Sequence, residues 1–512
     1  MKPQVQTVTP AFFFLRRFVA AAVAVATLAI IPGRTMATET VALGPQLDAL
    51  FDDPIWSNAR WGVKIIDLES SKTLYERDPA KGFIPASNLK LYTTAAALEY
   101  LGADYRFETK LYLTGALNKG VLKGDILIVG SGDPSISGRY NDDTPTTAIL
   151  NQWVDAVRTA GIRRIEGAVV GDDDTFDESH LSGTWQLDYF QEWYAAENSG
   201  LAINENCWDA TVTPGPRPGA PARVKLEIPT QFITVRNEVV TTAPSGKKGG
   251  DPPVEFTRDY EENIVTVRGF IPADAAPFHI WGGVRNGTLY TATLLREALT
   301  RAGIKVARGA RDIDDIKDKA AARAEDKRTL LTTHVSPPMS RIVAIVNKPS
   351  QNFYADQLLK VVGRAAYNSG DYNSGERAVR DMLTTAGLEA AGLQMHDGSG
   401  LSRQDLVEPR LTAGLLAWAA TRPWFQFYHD SLPIAGVDGT IRSRMKGSIA
   451  ENVVHAKTGY IGRVRSLSGY TTTTANRRIV FSMMNNNYLT PTKAVNDAQD
   501  AACVLMMTTP VD

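Results

Sequence analysis

Pro85-Ala86-Ser87-Asn88-Leu89-Lys90 opens an apolar run with helical spacing, made of Leu89, Leu91, Tyr92, Ala95, Ala96, Leu98 and Leu101. This spacing predicts a helix that begins next to Ser87. On such a helix Ser87 and Lys90 lie on the same face, one turn apart. The lysine amine can then take the proton of the serine hydroxyl, which allows that weak nucleophile to attack a carbonyl carbon. We therefore predict that Ser87 is a nucleophile and that Lys90 is its general base.

Two other Ser-x-x-Lys matches occur, at Ser245-Gly246-Lys247-Lys248 and at Ser443-Arg444-Met445-Lys446. About two matches are expected by chance in a chain of this length at average residue usage. The first lies in a stretch rich in proline, glycine and lysine, and the second is followed directly by Gly447. Because neither opens an apolar helix, we predict that both are solvated loop or helix-end residues.

Two short motifs follow far down the chain, and each occurs once: Ser350-Gln351-Asn352 and Lys457-Thr458-Gly459. A chance Lys-Thr-Gly is expected in about one chain of this size in ten. Taken singly, Ser350 and Asn352 could be helix N-caps and Lys457 an exposed strand residue. The order Ser-x-x-Lys, Ser-x-Asn, Lys-Thr-Gly is the active-site signature of serine acyl transferases that react with penicillin.

The N-terminal segment has the pattern of a secretory signal peptide. Three basic residues, Lys2, Arg16 and Arg17, precede an apolar run at 18–31, and Thr35-Met36-Ala37 has a small-x-small pattern. This predicts cleavage after Ala37 and a periplasmic or secreted protein. The apolar run is short for a membrane span, so an uncleaved anchor is the alternative.

Composition excludes several classes of function. Without the four basic residues of residues 1–37 the chain has 51 basic and 56 acidic residues, which gives no basic bias towards nucleic acid. Cys207 and Cys503 are the two cysteines. Their apolar neighbours favour two buried thiols, although one disulfide is compatible with an oxidising compartment. The six histidines and two cysteines show no zinc-type cluster, so we expect no metal and no cofactor.

The pattern of strands and helices predicts an α+β fold that is split by an insertion. Residues 62–67 and 72–75 near the start, and residues 453–457, 466–470 and 479–483 near the end, predict a five-stranded antiparallel sheet. Helices should follow Ser87 and Ser350, and a closing helix should span about 492–507. We assign residues 38–106 plus 333–512 to this domain.

Residues 107–332 are predicted to form a β-rich insertion of one or two subdomains. Its first clear strands are residues 109–113 and 125–129, and residues 214–222 and 245–253 have the composition of exposed loops. The charged run 308–328 predicts a solvated helix or a mobile segment. Because the insertion contains none of the three motifs, we expect it to be dispensable for basic acyl transfer and to influence substrate choice.

With these motifs the chain resembles the low-molecular-mass class C penicillin-binding proteins, the D-alanyl-D-alanine carboxypeptidase/endopeptidase family. In that family a long insertion separates Ser-x-x-Lys from Ser-x-Asn, and here the gap is 260 positions (350 − 90). Three further stretches add to the likeness, although each alone could be a plain turn: 130–134, 397–401 and 432–436. The resemblance implies a β-lactamase/transpeptidase-like domain that hydrolyses peptidoglycan stem peptides through an acyl-enzyme and is inhibited covalently by β-lactams.

The resemblance also implies roles for the other motif residues. Ser350 would relay a proton to the leaving amine, and Asn352 would bind the substrate amide and orient Lys90. Lys457, Thr458 and Gly459 would form the subsite for the terminal carboxylate. The backbone N–H groups of Ser87 and Tyr460 would bind the oxyanion.

Two positions leave questions open in this comparison. Tyr460 stands where the family often has threonine or serine, so the preference for a carboxylate, and with it the balance of carboxypeptidase and endopeptidase activity, stays open. Asp172 matches a stretch of the family's inserted domain in which an acidic residue meets the amino end of a diaminopimelate side chain. Its alternative is a solvated acidic turn, because Asp173 and Asp174 adjoin it.

Rival functions make different demands on the sequence. A class A β-lactamase needs a glutamate in a Glu-x-x-Asn pattern, which this chain does not contain. A class C-like esterase would have Tyr-x-Asn at positions 350–352. A non-enzymatic β-lactam sensor or wall-binding protein would not need a paired nucleophile and base. The oligomeric state stays open.

Overall fold

The computed structural model describes residues 42–140, 144–246 and 250–510. The predicted signal peptide, residues 1–37, therefore lies outside the described residues. Within the described ranges, none of the helices combines the length and the apolar character needed to cross a membrane.

The first part of the chain contributes a helix, a β-hairpin and the helix that follows Ser87. Its elements are α1 (Leu43–Phe51), β1 (Arg60–Asp67), β2 (Thr73–Arg77) and α2 (Lys90–Leu101). A 3₁₀ turn, Ala86–Leu89, leads directly into α2, so Ser87 lies in the tight first turn and Lys90 begins the α-helix. The helix predicted after Ser87 is therefore confirmed.

Residues 108–335 form the strand-rich middle of the chain. In chain order its elements are β3 (Glu108–Thr114), β4 (Ala116–Asn118), β5 (Val121–Lys123), β6 (Ile126–Val129), α3 (Thr147–Thr159), β7 (Arg164–Ile165), β8 (Val169–Asp172), β9 (Cys207–Thr213), β10 (Arg223–Leu226), β11 (Thr234–Thr242), β12 (Val254–Arg258), β13 (Ile264–Pro272), β14 (Phe278–Gly283), α4 (Gly287–Arg301), β15 (Lys305–Val306), β16 (Arg311–Asp312), α5 (Lys319–Arg323) and β17 (Arg328–Val335).

The last part returns to helices and then closes with three long strands and a helix. Its elements are α6 (Met339–Asn347), α7 (Asn352–Tyr367), α8 (Tyr372–Thr385), α9 (Pro409–Ala419), α10 (Phe425–Ser431), β18 (His455–Ile461), β19 (Val464–Thr472), β20 (Arg478–Asn486) and α11 (Thr492–Thr508).

The two ends of the chain build one antiparallel sheet of five strands in the order β18-β19-β20-β1-β2. The ends meet where β1 pairs with β20, for example Val63 with Met483. The prediction of five antiparallel strands is confirmed, although the bounds of each strand differ from the predicted ones. The strand that contains Lys457 begins at His455, not at Val453, and continues to Ile461.

Helix α2 is buried against this sheet and its neighbouring helices. All residues from Lys90 to Leu98 are buried, including the polar Thr93 and Thr94. Each threonine hydroxyl donates to a backbone carbonyl, Thr93 to Gly398 and Thr94 to Lys90, so neither polar group is left unpaired in the core. A helix buried on all sides holds its first turn firmly, which fixes the positions of Ser87 and Lys90.

The middle of the chain begins and ends at two neighbouring strands. Its first strand β3 pairs antiparallel with its last strand β17, from Glu108 opposite Val335 to Thr114 opposite Arg328. The strands of this region form four sheets, in the orders β16-β8-β6-β3-β17, β15-β7-β5-β4, β10-β9-β14 and β11-β13-β12. The exact boundaries at residues 107 and 332 stay a prediction, and β17 continues to Val335.

Three local expectations have clear outcomes. The stretch 130–134 is not an exposed turn, because Asp133 is buried and a side chain at Gly130 would collide with the carbonyl of Gly200. The charged run 308–328 forms short pieces, including β16 and α5, instead of one helix. Cys207 and Cys503 are free and buried, as predicted.

Candidate active site

The Nζ atom of Lys90 is the centre of the candidate site. It lies 2.9 Å from Ser87 Oγ, and it donates hydrogen bonds of 2.7 Å to both Asn352 Oδ1 and the carbonyl oxygen of Ser399. Ser87, Asn352 and Ser399 come from three places in the chain that are far apart in sequence. The structure thus brings together Ser87, Lys90 and Asn352, as the motifs predicted, and adds a backbone carbonyl.

Burial changes the acidity of Lys90. The side chain is fully buried, and the loss of hydration lowers its pKa to about 8, although the negative charges of Asp356, Asp397 and Asp405 oppose this. A lysine with a pKa near 8 has a substantial neutral fraction at physiological pH, whereas an exposed lysine has almost none. The site therefore provides a lysine amine that can accept a proton.

Lys457 forms a second buried lysine next to the first. Its Nζ donates to Ser350 Oγ at 2.7 Å and to the carbonyl oxygen of Thr458 at 3.0 Å. Burial lowers the pKa of Lys457 well below its ordinary value, and the nearby Lys90 and Arg465 act in the same direction. Lys457 is thus not the exposed strand residue of the alternative interpretation.

Ser350 is held in an unusual backbone conformation. Its φ is +67°, in the left-handed region that residues with a side chain adopt rarely, and α7 begins two residues later at Asn352. Gln351, between them, caps that helix by accepting from the N–H of Phe353. Neither Ser350 nor Asn352 is therefore the capping residue, and both side chains point to the lysines.

The edge strand β18 approaches the turn that contains Ser87. A side chain at Gly459 would collide with the carbonyl oxygen of Pro85, so the close approach requires a glycine in Lys-Thr-Gly. Asn88 Nδ2 donates to the carbonyl oxygen of Lys457 at 2.8 Å and fastens the turn to the strand.

The backbone of β18 offers N–H groups on its open edge. Ala456 N donates to the carbonyl of Pro433 on that edge, away from β19. Because N–H groups alternate in direction along a strand, Thr458 and Tyr460 present their N–H groups on the same side. The Tyr460 side chain is 56% exposed, with the Arg465 guanidinium 5.6 Å from its ring centroid. The Thr458 hydroxyl is 2.7 Å from that of Thr440.

The loop 397–402 contains functional groups that the motifs did not reveal. Its Ser399 carbonyl is an acceptor for Lys90, and Gly400 adopts a φ of +81° where a side chain would collide with the carbonyl of Ala86. Asp397 accepts from the N–H groups of Ser399, Gly400 and Ser402 at 3.0, 2.6 and 2.8 Å and so shapes the loop. The signal that could have found this loop was the stretch Asp397-Gly398-Ser399-Gly400-Leu401 itself.

The inserted region also reaches the site, and its expected dispensability for acyl transfer stays a prediction. Asn352 Nδ2 donates to the carbonyl oxygen of Tyr194 at 2.9 Å, and Trp185 Nε1 donates to Asp397 Oδ2 at 2.7 Å. Sequence reasoning missed these contacts because a backbone carbonyl carries no residue-type signature. The insertion therefore completes the surroundings of Asn352.

Asp172 has a partner within the inserted region. Its two carboxylate oxygens accept from Arg323 at 2.6 and 2.7 Å, and the side chain is buried. Arg323 also pairs with Asp174. Asp172 is therefore neither the solvated turn of the alternative interpretation nor a carboxylate without a partner, and its contact with a diaminopimelate substituent stays a prediction.

The two other Ser-x-x-Lys matches lack the surroundings of Ser87. Ser443 and Lys446 are both exposed, and so is Ser245. Lys248, the lysine that would pair with Ser245, lies outside the described residues. Of the serines in such matches, Ser87 is the one that the described structure places next to a buried lysine.

Comparison with known proteins supports the same assignment. The model of the D-Ala-D-Ala carboxypeptidase 3 (S13) family matches residues 43–509. The chain belongs to this family. The match confirms the prediction of a serine-type D-Ala-D-Ala carboxypeptidase of the penicillin-binding class.

Similar proteins cover most of the chain. A D-alanyl-D-alanine carboxypeptidase of Actinomadura sp. (strain R39) is 33% identical over 468 residues, which are 89% of this chain and 83% of that protein. The carboxypeptidase DacB of Haemophilus influenzae is 27% identical over 430 residues, 83% of this chain and 85% of that protein. The crystal structure of penicillin binding protein 4 from Haemophilus influenzae superposes with a TM-score of 0.75 at 23% identity, over 89% of this chain and 98% of that chain. The predicted fold class is thereby confirmed.

Proposed function

We propose that this protein removes the terminal D-alanine of peptidoglycan stem peptides through an acyl-enzyme on Ser87. The observation that supports this most directly is the geometry of Lys90. A neutral amine has two N–H groups and one lone pair, and the Asn352 and Ser399 oxygens can only accept, so they occupy the two N–H groups. The lone pair then faces Ser87 Oγ at 2.9 Å, ready to take its proton.

Acylation then proceeds in two steps, the attack of Ser87 and the release of the amine. Ser87 Oγ forms a bond to the carbonyl carbon of the penultimate D-alanine while its proton passes to Lys90 Nζ. The resulting oxyanion is stabilised by the N–H groups of Ser87 and Tyr460. The carbonyl then re-forms, the C–N bond breaks, and the leaving amine takes the proton of the Ser350 hydroxyl, which is bonded to Lys457. The proton held on Lys90 replaces it, so that Ser350 and Lys90 return to their starting forms. Water subsequently hydrolyses the acyl-enzyme and regenerates Ser87.

Lys457 and Thr458 bind the terminal carboxylate of the substrate in this proposal. A carboxylate next to Lys457 favours the ammonium form, so substrate binding raises the pKa that burial lowers in the free enzyme. Because Tyr460 replaces a hydroxyl-bearing threonine or serine of the family pattern, less of this affinity comes from residue 460.

The class of ligand follows from the family and its relatives. The relatives from Actinomadura and Haemophilus influenzae are D-alanyl-D-alanine carboxypeptidases, and the Haemophilus influenzae structure has also been solved with a β-lactam, with a TM-score of 0.70 at 23% identity. We propose β-lactams as covalent inhibitors of Ser87. A D,D-endopeptidase activity on D-Ala–diaminopimelate crosslinks is the second proposed activity.

Benzylpenicillin labelling followed by a turnover assay tests this function. Mass spectrometry should place the adduct on the peptide with Ser87, and a pentapeptide should release D-alanine. Ser443→Ala is the matched control, because Ser443 also begins a Ser-x-x-Lys match but is exposed, and it should label normally. A β-lactamase would lose the label rapidly, and a sensor would keep it and release no D-alanine. An adduct on Ser443 or Ser245 would overturn the assignment of the nucleophile.

The acylation rate should rise with pH in a predictable window. Lys90 must be neutral to take the proton, and its pKa is lowered to about 8, so the amine fraction and the rate increase as pH rises through 8. We expect the second-order rate constant for benzylpenicillin to fall about tenfold for each pH unit below that midpoint. Stopped-flow measurements of acylation from about pH 5 to about pH 10 give this dependence. A rate that does not depend on pH there would contradict Lys90 as the base.

We further propose that the protein acts in the periplasm or outside the cell. The support is the signal-peptide pattern of residues 1–37 and the location of the proposed substrate in the cell wall. N-terminal sequencing of the periplasmic fraction should give Thr38 as the first residue. Intact Met1 in the membrane pellet would instead indicate an uncleaved anchor.

A further inference from the structure

Asp397 joins two parts of the chain beneath Lys90. Three of its N–H donors belong to its own loop, namely Ser399, Gly400 and Ser402. The fourth is the indole Nε1 of Trp185, at 2.7 Å from Asp397 Oδ2, and Trp185 lies 212 positions earlier in the inserted region. A carboxylate has about four acceptor positions, so these four donors satisfy it.

The contact is part of a seam between the inserted region and the loop. Ser182 Oγ donates to the carbonyl oxygen of His396 at 3.0 Å, and Thr184 Oγ1 donates to Ser402 Oγ at 2.7 Å. Trp185 therefore lies at the end of a short segment in which Ser182 and Thr184 are also bonded to this part of the chain. Such a series of contacts keeps the indole N–H aligned with its carboxylate acceptor.

The segment that leads to this seam is itself anchored on helix α7. Lys360, fully buried in that helix, donates to Asp177 Oδ1 and to the carbonyl oxygen of Ser179, each at 2.7 Å. Its ammonium also lies 4.7 Å from the ring centroid of Tyr372. The inserted segment is thus fixed to the helix that also provides Asn352.

Three carboxyl groups, Asp356, Asp397 and Asp405, lie close enough to Lys90 for their charges to affect its pKa. Burial, followed by the charge of Asp397, raises the pKa values of Asp356 and Asp405 well above the ordinary range, which favours the neutral form of both carboxyl groups. Tyr372 on α8 also remains neutral, because burial raises its pKa. Among the three carboxyl groups whose charges favour the ammonium form of Lys90, Asp397 accepts a hydrogen bond from the inserted region, through Trp185.

We propose that Trp185 and Asp397 form a positioning pair through which the inserted region controls the base of the acylation step. The pair acts in two ways. It holds the loop so that the Ser399 carbonyl stays on Lys90, and it neutralises part of the Asp397 charge that would otherwise favour the ammonium form of Lys90. The inference rests on the proposed role of Lys90 as the general base.

Trp185→Phe tests the pair because it removes the N–H donor and keeps an aromatic ring. The more exposed negative charge of Asp397 then stabilises the ammonium form of Lys90, so the ascending limb of the acylation profile moves to higher pH. We expect the second-order rate constant for benzylpenicillin at pH 7 to fall about tenfold. Stopped-flow acylation across the pH range gives both quantities.

Trp424→Phe is the matched control. Like Trp185, which is half-buried, the buried Trp424 donates its indole N–H to a carboxylate, Glu99 Oε2, at 2.7 Å. It should lower the melting temperature about as much as Trp185→Phe does, and it should leave the acylation rate and its pH midpoint unchanged. Equal effects of both variants on acylation would show a general consequence of losing an indole and would overturn the proposal.

Asp397→Asn supplies a test with the opposite sign. Removing the negative charge disfavours the ammonium form of Lys90, so the pH limb should move to lower pH, even though the altered loop lowers the maximal rate. Shifts of both variants in the same direction would overturn the electrostatic part of the proposal. Should Asp397→Asn fail to fold, Trp185→Phe decides, and a Trp185→Phe enzyme with wild-type rate and midpoint overturns the pairing.

Failure of this inference can be told apart from failure of the proposed function. If Lys90 is not the base, the wild-type enzyme itself shows no ascending limb near pH 8, the midpoint expected from the pKa of Lys90. If only the pairing is wrong, the wild-type limb is present, Ser87 is labelled, and Trp185→Phe behaves like Trp424→Phe.

Discussion

Replacing Lys90 with methionine should slow acylation of Ser87 by about a thousandfold, for every class of substrate. The amine is the group that faces Ser87 Oγ with its lone pair, and Lys457 is bonded to Ser350 and Thr458 instead. Methionine has a similar length and is apolar, so it fills the buried site with little loss of packing. Benzylpenicillin and a simple thioester, measured under the same conditions, provide the rate constants.

The control for this variant is Lys64→Met on β1. Lys64 is paired with Glu76 at the surface of the sheet and has no part in the site. It should acylate at the wild-type rate, and thermal unfolding of both variants separates a loss of chemistry from a loss of fold. A Lys90→Met enzyme that still acylates either substrate rapidly would assign the base to another group.

Replacing Lys457 with methionine should lower kcat/KM more for substrates that carry a terminal carboxylate than for substrates that lack it. A substrate with the terminal carboxylate loses a charge-assisted contact in a buried site, and we expect its kcat/KM to fall about a hundredfold or more. A thioester that lacks this carboxylate should lose much less, about tenfold, through the weaker proton relay at Ser350. Steady-state kinetics on one substrate of each kind measure the difference.

The same pair of substrates decides which lysine is the base. If Lys457→Met abolishes acylation by both substrates while Lys90→Met spares one of them, the roles proposed for the two lysines are reversed. Both lysines are buried with lowered pKa values, so acidity alone does not distinguish them. The distinction comes from geometry, because the Nζ of Lys90 is the one that lies 2.9 Å from Ser87 Oγ.

Much of the site could be predicted because its residues act through local spacing. Ser87 and Lys90 are three positions apart at the start of a helix, and this separation alone places them on one face. Likewise the short apolar runs of β1 and β20 and the helix after residue 492 were sufficient to predict an α+β fold with five antiparallel strands. These features depend on residues close in sequence, which is where side-chain patterns are informative.

The surroundings of these residues were not predictable in the same way. The acceptors that orient Lys90 and Asn352 include the backbone carbonyls of Ser399 and Tyr194, and any residue type provides such a group. The contacts also join positions 309 and 158 residues apart, so no local pattern encodes them. For this reason the contacts of the insertion with the site were not predicted, and its dispensability for acyl transfer stays a prediction.

The residue pattern alone indicated the family, the motif of nucleophile and lysine, and a five-stranded antiparallel sheet built from both ends of the chain. The contacts of each charged group became clear from the folded structure alone. It paired Asp172 with Arg323 from the charged run, and it placed Trp185 of the insertion on Asp397 beneath Lys90. The physical reason is that burial makes an unpaired charge costly, so partners are selected by packing in space and not by distance along the chain.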